Sequence, residues 1–207
     1  MTSLLDRLAG NAPVPEAGPS SPASPSVSAI PYNACFDPQA DAFLPWMWKK
    51  MQEDDLVDYY FPGQKDTGFA TFVRLMSGDA QVALFKTEDS ESVQWEDRVA
   101  GFITWAPQRM GSSDVTIAGF IFFRKFWDKH TTDDAAKVAF KYWFTETPAA
   151  VVLGVCPSTH IAAMRYNKRI GLHEMGRLPL CHLYKGEVCD AVLMGMTKAE
   201  WEGKCQR

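Results

Sequence analysis

A turn in the middle of the chain concentrates side chains that could bind an anion. Arg124 and Lys125 directly follow the apolar run Val115 to Phe123, and Lys129 and His130 come next, where helical spacing begins. The first backbone N–H groups of a helix have no partner in the helix, and they lie at the positive end of its dipole. This turn therefore predicts a site for an anion such as a phosphate group.

Three carboxylates at the same turn compete with such an anion. Asp128, Asp133 and Asp134 lie around the start of the predicted helix. A carboxylate at this position contributes about 0.3–1 kcal/mol, so each one can take the place of the anion. A bound phosphate would have to displace them, and the basic side chains of the turn would offset part of that cost.

Cysteine and histidine residues offer two further chemistries. Cys156 stands four residues before His160, which would allow a thiol nucleophile with a neighbouring base, although a buried free thiol is the commoner role of such a cysteine. Cys181 and His182 form a single adjacent pair, and the chain has neither an HExxH motif nor the paired cysteine spacing of a zinc site. These patterns argue against a metal centre.

The elements that position these side chains alternate between strand and helix. Val115 to Phe123 and Ala149 to Cys156 are apolar on both faces of a period-two pattern, which is typical of central strands. Thr131 or Thr132 can cap the helix between them, and that helix should end near Thr147-Pro148. A second helix opens at Pro157-Ser158-Thr159 and closes at Gly171. The two strands should therefore be adjacent and parallel, with a right-handed connection.

The remaining segments complete a mixed sheet. The predicted helical segments are residues 38–51, Asp54 to Tyr60 and Thr67 to Met76, with a last helical turn at 197–201. The other predicted strands are Gln81 to Lys86, Arg98 to Ala106, Leu172 to Leu180 and Val188 to Met196. We therefore predict an α/β protein of mixed α+β type. Its sheet is twisted and mostly antiparallel, has six to seven strands with one parallel pair, and is flanked by helices.

The N-terminal part of the chain differs in composition from the rest. Residues 11–29 are rich in Pro, Ser, Ala and Gly, and they predict a disordered linker, so we place a single domain at residues 30–207. Leu4, Leu5 and Leu8 lie on one face of a possible short helix before this linker. They are either a frayed terminus or a tethered segment that binds a protein partner or a second copy of the chain.

Charge and cysteine content narrow the function classes. The net charge is −4 and the sequence pI is about 5.6, with dispersed basic residues, which argues against nucleic acid as a main partner. Apolar runs fall short of the roughly 20 residues that span a bilayer, which argues against a membrane protein. The 5 cysteines are an odd number at wide spacings, and they indicate reduced thiols and a cytoplasmic location.

The C-terminal third carries a family resemblance. Its features are Arg169-Ile170-Gly171-Leu172, Gly176, the turn from Gly186 to Asp190, and Glu200-Trp201. With the order of elements, these features resemble the GCN5-related N-acetyltransferase (GNAT) superfamily, and within it the branch that acts on ribosomal proteins and small substrates. Members of the superfamily transfer an acyl group from acyl-coenzyme A to an amine. The resemblance covers about Ile30 to Trp201.

The resemblance implies an acetyl-CoA site. The residues that would contact acetyl-CoA are Phe120, Ile121, Phe122, Lys125, Phe126, Trp127, Asp128, Lys129, His130, Thr131, His160 and Asn167. The backbone of 120–122 would bind the pantetheine arm, and the loop 125–131 would hold the pyrophosphate. Two glycines of the family loop are replaced here by Asp128 and His130, and His160 and Asn167 stand where many members carry Asn and Tyr. Tyr166 would be the acid, and Glu174, or Asp114 at the start of the strand, the base acting through water.

Two hypotheses about function follow. The first is an acyl-CoA-dependent N-acetyltransferase that acts on a small-molecule or protein amine. The second is a GNAT-like protein that no longer uses coenzyme A and serves as a binding or assembly module, encoded for example by a phage or mobile element, or catalyses another group transfer. An open cleft between the two central strands would favour the first. Filling of that cleft by Phe122, Phe126, Trp127, Arg165 and Tyr166 would favour the second.

Overall fold

Seven strands form one sheet in the part of the chain that the structure describes. The computed structural model describes residues 27–61, 68–87, 94–127 and 129–205. The strands are β1 (Val27–Pro31), β2 (Gln81–Thr87), β3 (Val99–Met110), β4 (Ser113–Phe122), β5 (Val151–Pro157), β6 (His173–Tyr184) and β7 (Glu187–Thr197). Their order in the sheet is β1-β2-β3-β4-β5-β7-β6, and only β4 and β5 pair in parallel. The predicted fold class is confirmed.

Helices flank this sheet. They are α1 (Ala40–Glu53), α2 (Val57–Tyr60), α3 (Gly68–Arg74), α4 (Trp95–Arg98), α5 (Lys129–Glu146), α6 (Ile161–Arg169) and α7 (Lys198–Cys205). Short 3-10 turns at Ala34–Phe36 and Arg124–Phe126 and a π-helical turn at Leu75–Asp79 lie between them. None of the helices in the described ranges is long and apolar enough to cross a membrane.

The core lies on both faces of the sheet because the strands are apolar on both faces. Leu84, Phe102 and Ile121 pack with residues of α1 and α3, such as Met47 and Phe72. The neighbouring strand residues Phe85, Ile103 and Phe122 instead pack with Ala136, Phe140 and Trp143 of α5. This alternation along β2, β3 and β4 is the period of two that strands impose on side chains.

Several boundaries differ from the sequence prediction, among them the start of the domain and the start of α5. β1 begins at Val27 and pairs with β2 from Val27↔Thr87 to Pro31↔Ala83, so the ordered domain starts before Ile30. This short Val-Ser-Ala segment has little local strand signal, and pairing with β2 decides its structure. The helix α5 begins at Lys129, so Thr131 and Thr132 lie in its first turn, where both are buried. The leucine segment and residues 11–26 of the predicted linker lie outside the described residues, whereas residues 27–29 of that linker belong to β1.

Candidate functional site

The sheet opens between its two parallel strands. β4 and β5 pair only at Val115↔Val151, Thr116↔Val152 and Ile117↔Leu153. Beyond these pairs β4 continues along β3 as far as Phe122, and β5 continues along β7 as far as Pro157. Each strand therefore follows its outer neighbour, and the gap between them widens towards their C-terminal ends.

This gap forms a cleft of about 250 Å³, which we call the β4–β5 cleft. Its lining residues are Leu56, Tyr59, Tyr60, Ala118, Gly119, Phe120, Ile121, Phe122, Trp127, Thr132, Val152, Leu153, Gly154, Val155, His160, Ala162, Ala163, Tyr166, Asn167, Arg169 and Leu172. Among the described residues of this lining, Arg169 is the one whose side chain carries a permanent charge. The cleft is therefore mainly apolar and aromatic. Its volume is somewhat below that of a typical ligand pocket, which is about 300–1,000 Å³.

Backbone groups of β4 face the cleft but have partners within the chain. In an antiparallel pair, every second residue turns its N–H and C=O groups towards the partner strand. The N–H of Phe123 donates to Ala100 O on β3. The residues in the other positions, Phe120 and Phe122, therefore turn their N–H and C=O groups away from β3 and towards the cleft. The Tyr60 hydroxyl donates to Phe120 O. The indole Nε1–H of Trp127 donates to Phe122 O at 2.7 Å. Both carbonyls of this edge therefore accept hydrogen bonds from aromatic side chains.

The turn after β4 also directs its amides to acceptors within the chain. The Arg124 N–H donates to the carboxylate Oδ2 of Asp54 at 2.6 Å, and Asp54 is only 5% exposed. The N–H groups of Phe126 and Trp127 donate to Phe123 O and Arg124 O at 2.9 and 3.1 Å. The buried Asp54 thus accepts from the first amide of the turn after β4. Asp128 lies outside the described residues.

Side chains of α5 and α6 meet at one end of the cleft. Arg169 donates through Nε to Asp133 Oδ1 and through Nη2 to Thr132 Oγ1, both at 2.8 Å. The Tyr166 hydroxyl donates to Thr132 O at 3.1 Å. Asp133, one of the three carboxylates predicted at the start of the helix, therefore forms an ion pair with Arg169, which the sequence indicated only as part of the family resemblance.

Tyr166 lies in the cleft with its hydroxyl already engaged. Its ring makes edge contacts with the rings of Phe120 and Phe122, with centroids 6.0 and 5.7 Å apart. Burial raises the pKa of the Tyr166 hydroxyl far above its ordinary value, and the charge of Asp133 adds to this effect. The hydroxyl therefore stays protonated at neutral pH.

Aromatic rings close the other end of the cleft. His160 precedes α6 and caps it, because its Nδ1 accepts from Ala163 N–H at 3.3 Å. Its ring stacks on Tyr184 at 5.0 Å and meets Tyr59 edge-on at 5.1 Å. Burial is the main cause that lowers the pKa of His160, so the ring is neutral at pH 7 and carries its proton on Nε2. Lys185 donates to Asp55 across this end.

Cys156 is buried beside this cluster and is not a reactive thiol. It is 0% exposed, and burial raises its pKa to about 11. A nucleophilic cysteine needs a thiolate and access to the reaction partner. The structure therefore supports the buried-thiol interpretation of the Cys156 and His160 pair.

The structure brings together part of the predicted site. Phe120, Ile121, Phe122, Trp127, His160, Tyr166 and Asn167 line the cleft. Lys125 and Phe126 instead line a second cavity of about 310 Å³, and Lys125 binds Asp97 at 2.5 Å. Thr131 is buried, whereas His130 is exposed, and neither lines the cleft. Lys129 supplies the first backbone position of α5.

The predicted bases lie away from the cleft. Glu174 is on β6, the edge strand of the sheet, and its carboxylate pairs with Arg177 at 3.1 Å. Asp114 is at the start of β4, opposite the open end, and pairs with Arg109 at 3.7 Å. Glu174 lies on the strand after α6, as predicted, but β7 lies between this strand and β5, so Glu174 is separated from the cleft by one strand. The described residues contain no group of three or more metal-ligand side chains.

Some residues of the cleft and of the turn after β4 come from distant segments and were not predicted from the sequence. Tyr59 and Tyr60 belong to α2, and Asp54 lies between α1 and α2. Their local sequence shows only a short helix with apolar residues, and no local pattern indicates contact with β4, which lies about 60 residues further along the chain.

Comparisons with known proteins bear on the fold. No family model matches the chain, and no curated protein matches it. Solved structures do match. A probable GNAT-family acetyltransferase from Chromobacterium violaceum has a TM-score of 0.66 and 17% identity, and the match covers 94% of this chain and 98% of the other.

Two further structures were solved with bound ligands. RimL, a ribosomal alpha-N-protein acetyltransferase in complex with coenzyme A, has a TM-score of 0.66 at 11% identity, covering 86% of this chain and 96% of its own. Spermidine N-acetyltransferase from Vibrio cholerae, in complex with coenzyme A and spermine, has a TM-score of 0.62 at 13% identity, covering 86% and 98%. The sheet order, the single parallel pair and these matches agree, and the chain has the fold of the GCN5-related N-acetyltransferase superfamily.

Proposed function

We propose that the protein is an acyltransferase that takes an acyl group from an acyl-coenzyme A, such as acetyl-CoA, and transfers it to an amine. The observation that carries this proposal is the parting of β4 and β5 after Ile117↔Leu153, which leaves a mainly apolar cleft in the middle of the sheet. A filled core gains about 25 cal/mol for each Å² of apolar surface removed from water, so an open cleft has a cost in stability. An open cleft that is kept in spite of this cost supports a role of the cleft in ligand binding.

The residues of the chain fit an acyl-CoA in part. The mostly apolar lining of the cleft suits the uncharged arm of an acyl-CoA, and the backbone of Phe120 and Phe122 faces the cleft. The phosphate end differs, because the amides of Arg124, Phe126 and Trp127 have partners within the chain. A phosphate there would bind to basic side chains such as Arg169 and to the first amides of α5, instead of a glycine-rich loop.

An acyl-CoA would supply a thioester carbonyl for attack by the amine. Within the described lining, the tyrosine hydroxyls stay protonated and His160 uses Nδ1 to cap α6. A raised pKa makes Tyr166 a weak acid, since a general acid works best with a pKa near the operating pH. The chain therefore contributes mainly orientation and exclusion of water, which can supply about 7–11 kcal/mol of barrier reduction.

The lining of the cleft also bears on the acceptor. It includes no carboxylate among the described residues, so nothing there pairs with an ammonium group. We therefore propose an acceptor amine that enters uncharged, on a small molecule or a protein. Cytoplasmic location and a role of residues 1–26 in self-association or partner binding remain predictions from the sequence.

A second candidate function follows from the occupied hydrogen-bonding groups. The carbonyls of Phe120 and Phe122 accept from Tyr60 and Trp127, and Asp54 takes the Arg124 amide. An arm that pairs with β4 would have to replace these bonds. This arrangement favours a GNAT-fold protein that has lost coenzyme A binding and serves as a binding or assembly module.

A thermal-shift titration with acetyl-CoA separates the two candidates. Gly154 lies just past the last β4–β5 pair, and a Cβ there would be 3.4 Å from Ala118 O on the opposite strand. The Gly154→Leu variant should fill this end of the cleft. Gly203→Leu is the matched control, because a Cβ at Gly203 meets nothing within 4 Å.

The enzyme hypothesis gives a clear expectation. Acetyl-CoA at 100 times its dissociation constant should stabilise the wild type by about 2.7 kcal/mol, or about 5–10 °C in Tm for a domain of this size. Gly203→Leu should keep this shift and Gly154→Leu should lose it. If the wild type shows no shift at millimolar acetyl-CoA, the second candidate is favoured.

A further inference from the structure

Trp127 covers a hydrogen-bonding position on the open edge of β4. Its indole Nε1–H donates to Phe122 O at 2.7 Å, and its side chain lines the β4–β5 cleft. The residue is nevertheless 50% exposed, and it follows the 3-10 turn Arg124–Phe126 instead of lying in a helix or strand. The Arg124 guanidinium lies 5.5 Å from its ring centroid. With the described residues, the indole makes one hydrogen bond through Nε1 and one cation–π contact, and half of the side chain is accessible to water.

Tyr60 covers the neighbouring carbonyl in a different way. Its hydroxyl donates to Phe120 O, and its ring packs edge-on against Tyr59 at 4.6 Å. A Cβ added at Gly119 would lie only 3.0 Å from the Tyr60 ring, so the ring fills the space next to β4. Tyr60 is therefore fixed by packing, whereas Trp127 can exchange its hydrogen bond for one to water.

We infer that Trp127 is the residue that a donor arm displaces when it enters the cleft, and that it thereby sets the affinity and selectivity for that arm. This inference rests on the proposed function. An amide N–H on the ligand can replace the indole N–H at Phe122 O, while Phe120 O stays paired with Tyr60. The site therefore selects an extended ligand with an amide donor at one position. A purely aliphatic chain would leave Phe122 O without a partner.

The displacement has a measurable effect on affinity. Trp127→Phe keeps an aromatic ring but removes the N–H donor, so the ligand no longer competes for Phe122 O. A typical net hydrogen bond is equivalent to about a two- to tenfold change in the dissociation constant. The variant should therefore bind coenzyme A about two- to tenfold more tightly. Adenosine 3′,5′-bisphosphate, which lacks the arm, should bind the variant and the wild type equally.

The experiment is isothermal calorimetry of wild type and Trp127→Phe with these two ligands. An independent readout is the ¹⁵N-indole resonance of Trp127, which is identified by its absence in the variant. The resonance should move when coenzyme A is added to the wild type and stay in place when the bisphosphate is added. The Tm of both proteins without ligand serves as the folding control.

The outcomes separate the inference from the proposed function. Tighter binding of coenzyme A by the variant, together with movement of the indole resonance, supports displacement. Equal or weaker binding by the variant overturns it and leaves the acyltransferase proposal standing. If coenzyme A binds to neither protein, the inference about Trp127 and the acyltransferase proposal both fail, because the Phe122 carbonyl does not bind the arm even when the indole donor is removed.

Discussion

The buried carboxylate of Asp54 should be a main stabilising contact of the turn after β4. It accepts from the Arg124 N–H at 2.6 Å and lies 3.4 Å from the Lys50 ammonium. A hydrogen bond to a charged group contributes about 1.5–3 kcal/mol, and removal of the acceptor leaves the amide of Arg124 without its partner. We therefore expect Asp54→Ala to lower the free energy of unfolding by about 2–3 kcal/mol. For a domain of this size, this corresponds to a Tm lower by about 4–12 °C.

Urea denaturation followed by circular dichroism measures this loss. Glu53→Ala is the control, because Glu53 pairs with Lys50 at 3.3 Å but its side chain is 50% exposed, and such pairs contribute about 0–1 kcal/mol. Asp54→Asn keeps an acceptor without the charge and should fall between the two. A loss below about 1 kcal/mol for Asp54→Ala, with an unchanged m value, would refute the role that we assign to this carboxylate.

Two further predictions concern pH and the start of the domain. Because burial lowers the pKa of His160, the unfolded chain takes up a proton that the folded chain resists, so stability is lost as the pH falls below about 6.5. His160→Asn keeps a capping oxygen and should lose less stability than the wild type between pH 7.5 and 5.5 in urea titrations; an equal loss would contradict this. Deletion of residues 1–26 should change the free energy of unfolding by less than about 0.5 kcal/mol. Deletion of residues 1–29 also removes the buried Val27 and three residue pairs between β1 and β2, and should lower the free energy of unfolding by about 1.5–3 kcal/mol more. Equal stability of the two truncated proteins would contradict a structural role of β1.

The sequence by itself determined the order and type of most elements. Strands that are apolar on both faces must be covered on both faces, and two such strands joined by a helix are most easily placed parallel and adjacent. The apolar periodicity of residues 115–123 and 149–156 thus predicts β4, α5 and β5 and the parallel pair between the two strands. The resemblance in the last 40 residues added the superfamily fold. These conclusions hold because periodicity and turn residues are local properties that a single stretch of sequence records.

Only the tertiary structure decided what occupies the cleft that this fold leaves open. Tyr60 and Asp54 contact β4 and its following turn from 60 to 70 residues away along the chain, and Arg169 reaches Asp133 across 36 residues. Trp127 is close in sequence to Phe122, yet the direction of its indole depends on the turn that Asp54 holds. Hydrogen bonds of this kind depend on which segments the packed core brings together, and local patterns of apolar residues carry no information on that pairing.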